Sequence, residues 1–95
     1  MKQPCVYILA SKRNGTLYVG VTSNLVQRVW QHQQGAVDGF SVKYGVKRLV
    51  WYEQHESMEA AIQREKQIKA GSRARKIALI EARNPQWLDL YGEIV

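Results

Sequence analysis

Five polar side chains in this sequence are of types that do chemistry and sit where packing alone does not call for them. Tyr7 and Tyr18 fall in two short apolar runs, Arg28 and His32 stand one helical turn apart, and Glu65 interrupts an otherwise apolar helical stripe. A phenol donates and accepts protons, a guanidinium clamps an anion through its planar fork, an imidazole moves protons near neutral pH, and a carboxylate can hold a cation. Each also has a plainer explanation. Two tyrosines on one hairpin face commonly pack across strands, and Glu65 fits equally well as the partner of Lys69 or an arginine in a structural ion pair, or as the wall of a wet pocket.

The elements that must position these groups are legible in order. Val6-Tyr7-Ile8-Leu9-Ala10 and Leu17-Tyr18-Val19-Gly20-Val21 are β-branched and aromatic runs around Ser11-Lys12-Arg13-Asn14-Gly15-Thr16, which predicts a β-hairpin with a type I′ turn at Asn14-Gly15. An even loop length puts Cys5, Tyr7, Leu9, Tyr18, Gly20 and Thr22 on one face, with Gly20 leaving a notch where a ligand could approach the backbone. Cap-type residues Thr22-Ser23-Asn24 then open a helix that Gly35 closes. Its apolar residues 25, 26, 29 and 30 place Arg28 and His32 along one border of the buried stripe. Residues 35–45 carry three glycines and no period, reading as a loop from which Lys43 and Tyr44 reach a substrate backbone. Residues 46–53 read as a third strand with Leu49 and Trp51 on one face, Val50 and Tyr52 on the other.

Ser57 caps a helix ending at Gly71, in which Met58, Ala61, Ile62 and Ile68 form the apolar stripe around Glu65. A last helix runs from about Arg73 to Asn84-Pro85 with Ile77, Ala78, Ile80 and Ala82 inward and Leu79 less central. Lys66, Lys69, Arg73, Arg75 and Lys76 crowd the junction of these two helices as a candidate phosphate-binding cluster, against the plainer reading of a solvated face. The tail from Gln86 to Tyr91 carries apolar anchors that should pack onto the body.

The bulk numbers fit this plan. A chain of 95 residues, 45% hydrophobic, suits one domain spanning residues 1–95, and a net charge of +6 suggests a polyanionic partner. The single cysteine, Cys5, forms no intrachain disulfide and reads as a buried small hydrophobe. No apolar run is long enough to span a membrane and no signal peptide is visible, so a cytoplasmic location is expected. The expected fold class is α+β, a small, mainly antiparallel three-stranded sheet flanked by helices in the order β-β-α-β-α-α.

Taken together, the sequence resembles the GIY-YIG nuclease superfamily. Val6-Tyr7-Ile8 and Tyr18-Val19-Gly20 look like its two tripeptides, Arg28 matches the arginine of the following helix, and Glu65 matches the later glutamate. The likeness is closest to the small stand-alone bacterial branch, through segments such as Lys43-Tyr44-Gly45-Val46 and Asn84-Pro85-Gln86-Trp87. It departs in having Val6 for the first glycine and in lacking the separate targeting domain of larger relatives. The resemblance implies a metal-dependent endonuclease acting on DNA, in repair or processing of structured DNA, with RNA as the second substrate candidate. Glu65 would hold Mg²⁺ (or Mn²⁺), Tyr7 would be the general base, Arg28 would clamp the phosphate, Tyr18 would orient water or phosphate, and His32 would assist proton transfer. An ordinary phenol ionises near pH 10, so a base working at neutral pH needs roughly 4 kcal/mol of differential stabilisation, which a bound cation and a guanidinium can supply. The alternatives are a catalytically idle nucleic-acid-binding module and a nuclease subunit whose protein partner chooses the target.

Overall fold

The computed structural model describes residues 3–35 and 39–95, the side chains of 39–41 excepted. Three strands, β1 (Cys5–Ala10), β2 (Leu17–Thr22) and β3 (Arg48–Gln54), form one antiparallel sheet in the order β2-β1-β3. Helices α1 (Leu25–Gln33) and α2 (Gly39–Tyr44) lie between β2 and β3 in sequence, and α3 (Met58–Ala70), α4 (Arg73–Arg83) and α5 (Tyr91–Ile94) follow. The α+β class and the antiparallel sheet are as the sequence implies. Two short helices, α2 and α5, are additional: residues 39–44 were expected in a loop, and the part of that loop at 36–38 lies outside the described residues.

β1 is the middle strand and all six of its residues are buried, because both faces of the sheet are covered. One face packs Val6, Ile8, Ala10, Val19, Val50 and Trp51 against Ala61 and Ile68 of α3, Ile80 of α4 and Trp87. The other packs Cys5, Tyr7, Leu9 and Leu49 against Leu25 and Val29 of α1, with Tyr18, Tyr52 and the α5 residues Tyr91 and Ile94 at its margin. The pairing Tyr7↔Gly20 and Leu9↔Tyr18 confirms that the two tyrosines share a face.

Alternation fails once. β3 slips register against β1 between Ile8 and Leu9, so Leu49 pairs with Leu9 but Trp51 pairs with Ile8. The extra residue, Val50, turns Trp51 onto the α3/α4 face and leaves Leu49 and Tyr52 together on the α1 face, contrary to strict two-residue periodicity. The strand also begins at Arg48, two residues later than expected.

The hairpin turn differs in type as well. Asn14 has φ 58° and Gly15 has no left-handed φ, whereas a type I′ turn needs both. A hydrogen bond from Gly15 N to Lys12 O (2.9 Å) closes the bend, and Thr16 N donates to Ser11 Oγ (3.0 Å). Behind α4, Asn84 is buried and its side chain joins three segments: Nδ2 donates to the carbonyls of Val50 (3.1 Å) and Leu88 (2.9 Å), and Oδ1 accepts from Leu88 N (3.0 Å). That network holds the tail so that Trp87 is fully buried, as the apolar anchors of the tail lead one to expect.

Candidate active site

Asn24 starts α1 by accepting from Gln27 N through its side chain, which fixes the helix phase. Leu25, Val29 and His32 are its buried residues, at the i, i+4, i+7 spacing of a single stripe. His32 is therefore 0% exposed at the centre of the interface, not on its border, while Trp30 turns out to solvent. The 25/29/32 spacing was readable in the sequence, but the apolar residues at 26 and 30 pulled the expected stripe away from it.

Buried imidazoles need partners. His32 Nε2 lies 3.0 Å from Tyr7 Oη, and Tyr7 is itself only 1% exposed. The Tyr18 ring completes a three-ring cluster, with centroids 5.0 Å from His32 and 6.3 Å from Tyr7. A phenol and an imidazole in direct hydrogen-bond contact can exchange a proton without an intervening water.

Gly20 has a different part from the one its sequence suggested. It stands opposite Tyr7, and the Tyr7 ring lies across it, so that a Cβ at position 20 would overlap Cζ and Oη of that ring. The notch is filled by Tyr7 itself and is not a channel for substrate backbone. Gly20 has no left-handed φ, so it is the space and not backbone freedom that requires glycine.

Arg28 lies one turn before His32 and is partly buried. Among the described residues no hydrogen bond or ion pair engages its guanidinium, which leaves the fork for an anion. Glu65 comes from α3, on the other face of the sheet; its side chain is 15% exposed and pairs with Lys69 Nζ at 3.1 Å. One sequence alternative for Glu65, an ion pair with Lys69, is thus present. Around it, Ala61 and Ile68 are buried and Met58 partly so, but Ile62 faces solvent. On α4 only Ile80 is buried; Ile77 and Leu79 are partly so, and Ala78 and Ala82 are exposed.

Lys69 links the two sides. With Leu17, Tyr18, Val19 and Lys76 it lines a groove of about 370 Å³ along β2, which is an edge strand. Tyr7, Tyr18 and His32 thus form one group, Glu65 and Lys69 another, and the β2 edge is where they adjoin.

The basic cluster divides by partner. Arg73 donates to the hairpin-loop carbonyls of Asn14 (2.8 Å) and Gly15 (2.7 Å), so its fork is already occupied in tying α4 to the loop. Lys76 donates to Gly71 O (3.0 Å). The exposed side chains of Lys66 and Arg75 have no hydrogen bond or ion pair among the described residues. Lys43 and Tyr44 are exposed on α2, with the ammonium 5.4 Å from the ring centroid. Cys5 is buried, and desolvation raises its thiol pKa, as befits a packing residue.

Among the described residues no three His, Cys, Asp or Glu side chains cluster as a metal site. Glu65 alone is a sparse ligand set, which fits Mg²⁺ keeping most of its waters and fits poorly with a closed, all-protein cage. No helix of the described residues is long and apolar enough to cross a membrane.

Comparison with known proteins covers most of the chain. The profile described as the GIY-YIG catalytic domain matches residues 3–78. A UPF0213 protein of Syntrophus aciditrophicus is 37% identical over 94 residues, covering 90% of this chain and 98% of that one. Another from Natronomonas pharaonis is 40% identical over 75 residues, 79% of this chain and 87% of the relative. The solution NMR structure of a UPF0213 protein from Bacillus halodurans superposes with a TM-score of 0.57 at 28% identity, covering 92% of each chain.

Proposed function

From the premise that the chain belongs to the GIY-YIG catalytic domain family, a nuclease family, we propose that it is a metal-dependent endonuclease hydrolysing phosphodiester bonds in DNA. Structured DNA, of the kind met in repair, is the substrate form favoured here. The observation that carries the reading is the buried hydrogen bond between Tyr7 Oη and His32 Nε2, 3.0 Å, beside the Tyr18 ring. Apolar packing would be served as well by phenylalanine and leucine, whereas a phenol and an imidazole held together form a proton-transfer pair.

In this reading Tyr7 takes the proton of the attacking water and His32 shares it through their hydrogen bond. Arg28 holds the non-bridging oxygens with its planar fork, and Tyr18 orients the water or phosphate. Glu65, with phosphate oxygens, would hold Mg²⁺ or Mn²⁺, which when bound supplies positive charge for the leaving oxygen. Lys66 and Arg75, whose side chains have no hydrogen bond or ion pair among the described residues, and Lys43 with Tyr44 contact the flanking backbone.

The test is a cleavage panel of linear, branched and single-stranded DNA and structured RNA, with and without Mg²⁺ or Mn²⁺. Cleavage should require the metal and fall about a hundredfold or more in Tyr7→Phe and in Glu65→Ala, the loss expected for removing a proton acceptor or the cation's ligand. No cleavage of any form, or variants as active as the parent, would sink the proposal; binding that tracks salt but ignores metal would point to an idle binding module instead.

A further inference from the structure

We propose that Lys69 has two anionic partners in turn, Glu65 in the resting protein and a substrate phosphate in the complex, so that metal and nucleic acid bind the site cooperatively. The proposal rests on the reading of Glu65 as the metal ligand.

Four observations lead to it. Lys69 Nζ is 3.1 Å from Glu65 Oε2, so the carboxylate proposed as the cation's ligand is already engaged by an ammonium. The two ends of the pair differ: the Glu65 side chain is 15% exposed and held against the body, while that of Lys69 is 55% exposed on a long flexible stem. Lys69 also lines the groove at the β2 edge together with Tyr18, the ring that adjoins the Tyr7–His32 pair. The other ammonium of that groove, Lys76, is tethered to Gly71 O at 3.0 Å. The groove therefore has one fixed cation and one that can leave its partner.

Competition follows from charge. A carboxylate neutralised by Lys69 is a poor ligand for a dication, which must displace the ammonium and then endure it as a neighbour. An exposed i,i+4 pair shifts an equilibrium only about twofold, and repulsion between an ammonium and a dication a few ångströms apart adds to that, so the handicap is roughly three- to tenfold in metal affinity. A phosphate in the groove gives Lys69 a second anion and releases Glu65. Linkage then requires the metal to strengthen nucleic-acid binding by the same factor. An enzyme without nucleic acid would hold the metal more weakly, and its carboxylate would remain compensated in partly buried surroundings.

The experiment measures Mn²⁺ affinity of the full chain by the electron paramagnetic resonance signal of free Mn²⁺. It is run with and without a short duplex made resistant to cleavage by phosphorothioate linkages, the Glu65→Gln protein plus duplex serving as baseline for Mn²⁺ held by the duplex itself. For the parent protein the duplex should tighten Mn²⁺ by at least roughly three- to tenfold. Lys69→Met should bind Mn²⁺ tighter by a similar factor without duplex and gain less from it than the parent does, the gain that remains coming from phosphate oxygens that ligate the cation; Lys69→Arg should behave as the parent. Lys69→Met with unchanged or weaker affinity, or with a duplex-induced gain as large as the parent's, overturns the inference. Glu65→Gln should lose the site: if it binds Mn²⁺ like the parent, the ligand reading itself fails, whereas loss in Glu65→Gln beside no change in Lys69→Met removes the role of Lys69 alone.

Discussion

Gly20→Ala is the substitution with the most to say about how the site is built. The backbone tolerates alanine there, since φ is not left-handed, and an exposed strand glycine replaced by alanine would gain a few tenths of a kcal/mol or more. The new methyl, however, overlaps Cζ and Oη of Tyr7, a ring 1% exposed and hydrogen-bonded to His32. Two responses are open. Tyr7 stays and the strands spread, an overpacking that costs about 1–3 kcal/mol, or Tyr7 swings away and its buried hydrogen bond to His32 is lost, at about 1–3 kcal/mol. Either gives a net loss of about 2 kcal/mol, which in a domain of this size lowers Tm by roughly 8–16 °C. Thermal unfolding followed by circular dichroism measures it. A companion cycle isolates the cause: Tyr7→Leu removes the overlapped atoms, so adding Gly20→Ala to it should be close to neutral, with a coupling of about 2 kcal/mol between the sites. A Gly20→Ala protein that melts with the parent, or the same loss in the Tyr7→Leu background, refutes the reasoning.

Two further outcomes are expected. Arg73→Ala removes both donations to the hairpin loop and should cost about 1 kcal/mol at this exposed position, yet leave the salt dependence of DNA binding unchanged; Lys66→Ala should leave stability alone and reduce the slope of log affinity against log salt by about one, both read by fluorescence anisotropy over a salt series. Tyr52 has its pKa raised by desolvation and by its hydrogen bond to Glu93 (3.1 Å), so the folded state holds that proton more tightly than the unfolded one; its stabilising contribution is complete below the ordinary phenol pKa and is lost as pH rises through the folded value. Melting temperatures at alkaline pH should therefore decline less steeply in Tyr52→Phe, and an identical decline would contradict the assignment.

The sequence revealed the fold's frame because its signals are local. Ser57 caps the helix it was expected to cap, Asn24 is the one of the cap-type residues 22–24 that caps α1, and the even hairpin loop puts Tyr7 and Tyr18 on one face. What it hid is set by tertiary partners. The slip at Val50 that reverses Trp51 depends on how β3 meets β1, and nothing within β3 marks it. Trp30, the largest apolar residue of α1, faces solvent while His32 is buried, because hydropathy ranks the indole inward but Tyr7, distant in sequence, offers the imidazole a bond. Arg73 looked like its basic neighbours until the loop carbonyls that hold it came into view. Gly20 was singled out correctly and for the wrong reason: period-two alternation locates an absent side chain but not the ring that fills its place.

The edge position of β2 resolves what the sequence left as a conflict about Glu65. The tyrosines and Arg28's helix belong to one face of the sheet and α3 to the other, so a site in the middle of the sheet could not draw on both. At the edge no third strand intervenes, and Lys69 of α3, paired with Glu65, lines a groove together with Tyr18. The same arrangement serves the fold. An unpaired strand edge invites pairing with another chain, and lysines along it are a common protection. Lys69 and Lys76 supply that protection beside Leu17 and Val19, so cations that guard the edge of the resting protein are already aligned where a phosphate backbone would run. On the proposed reading, charge that serves the substrate adds little to the burden on stability, because the sheet edge would need it in any case.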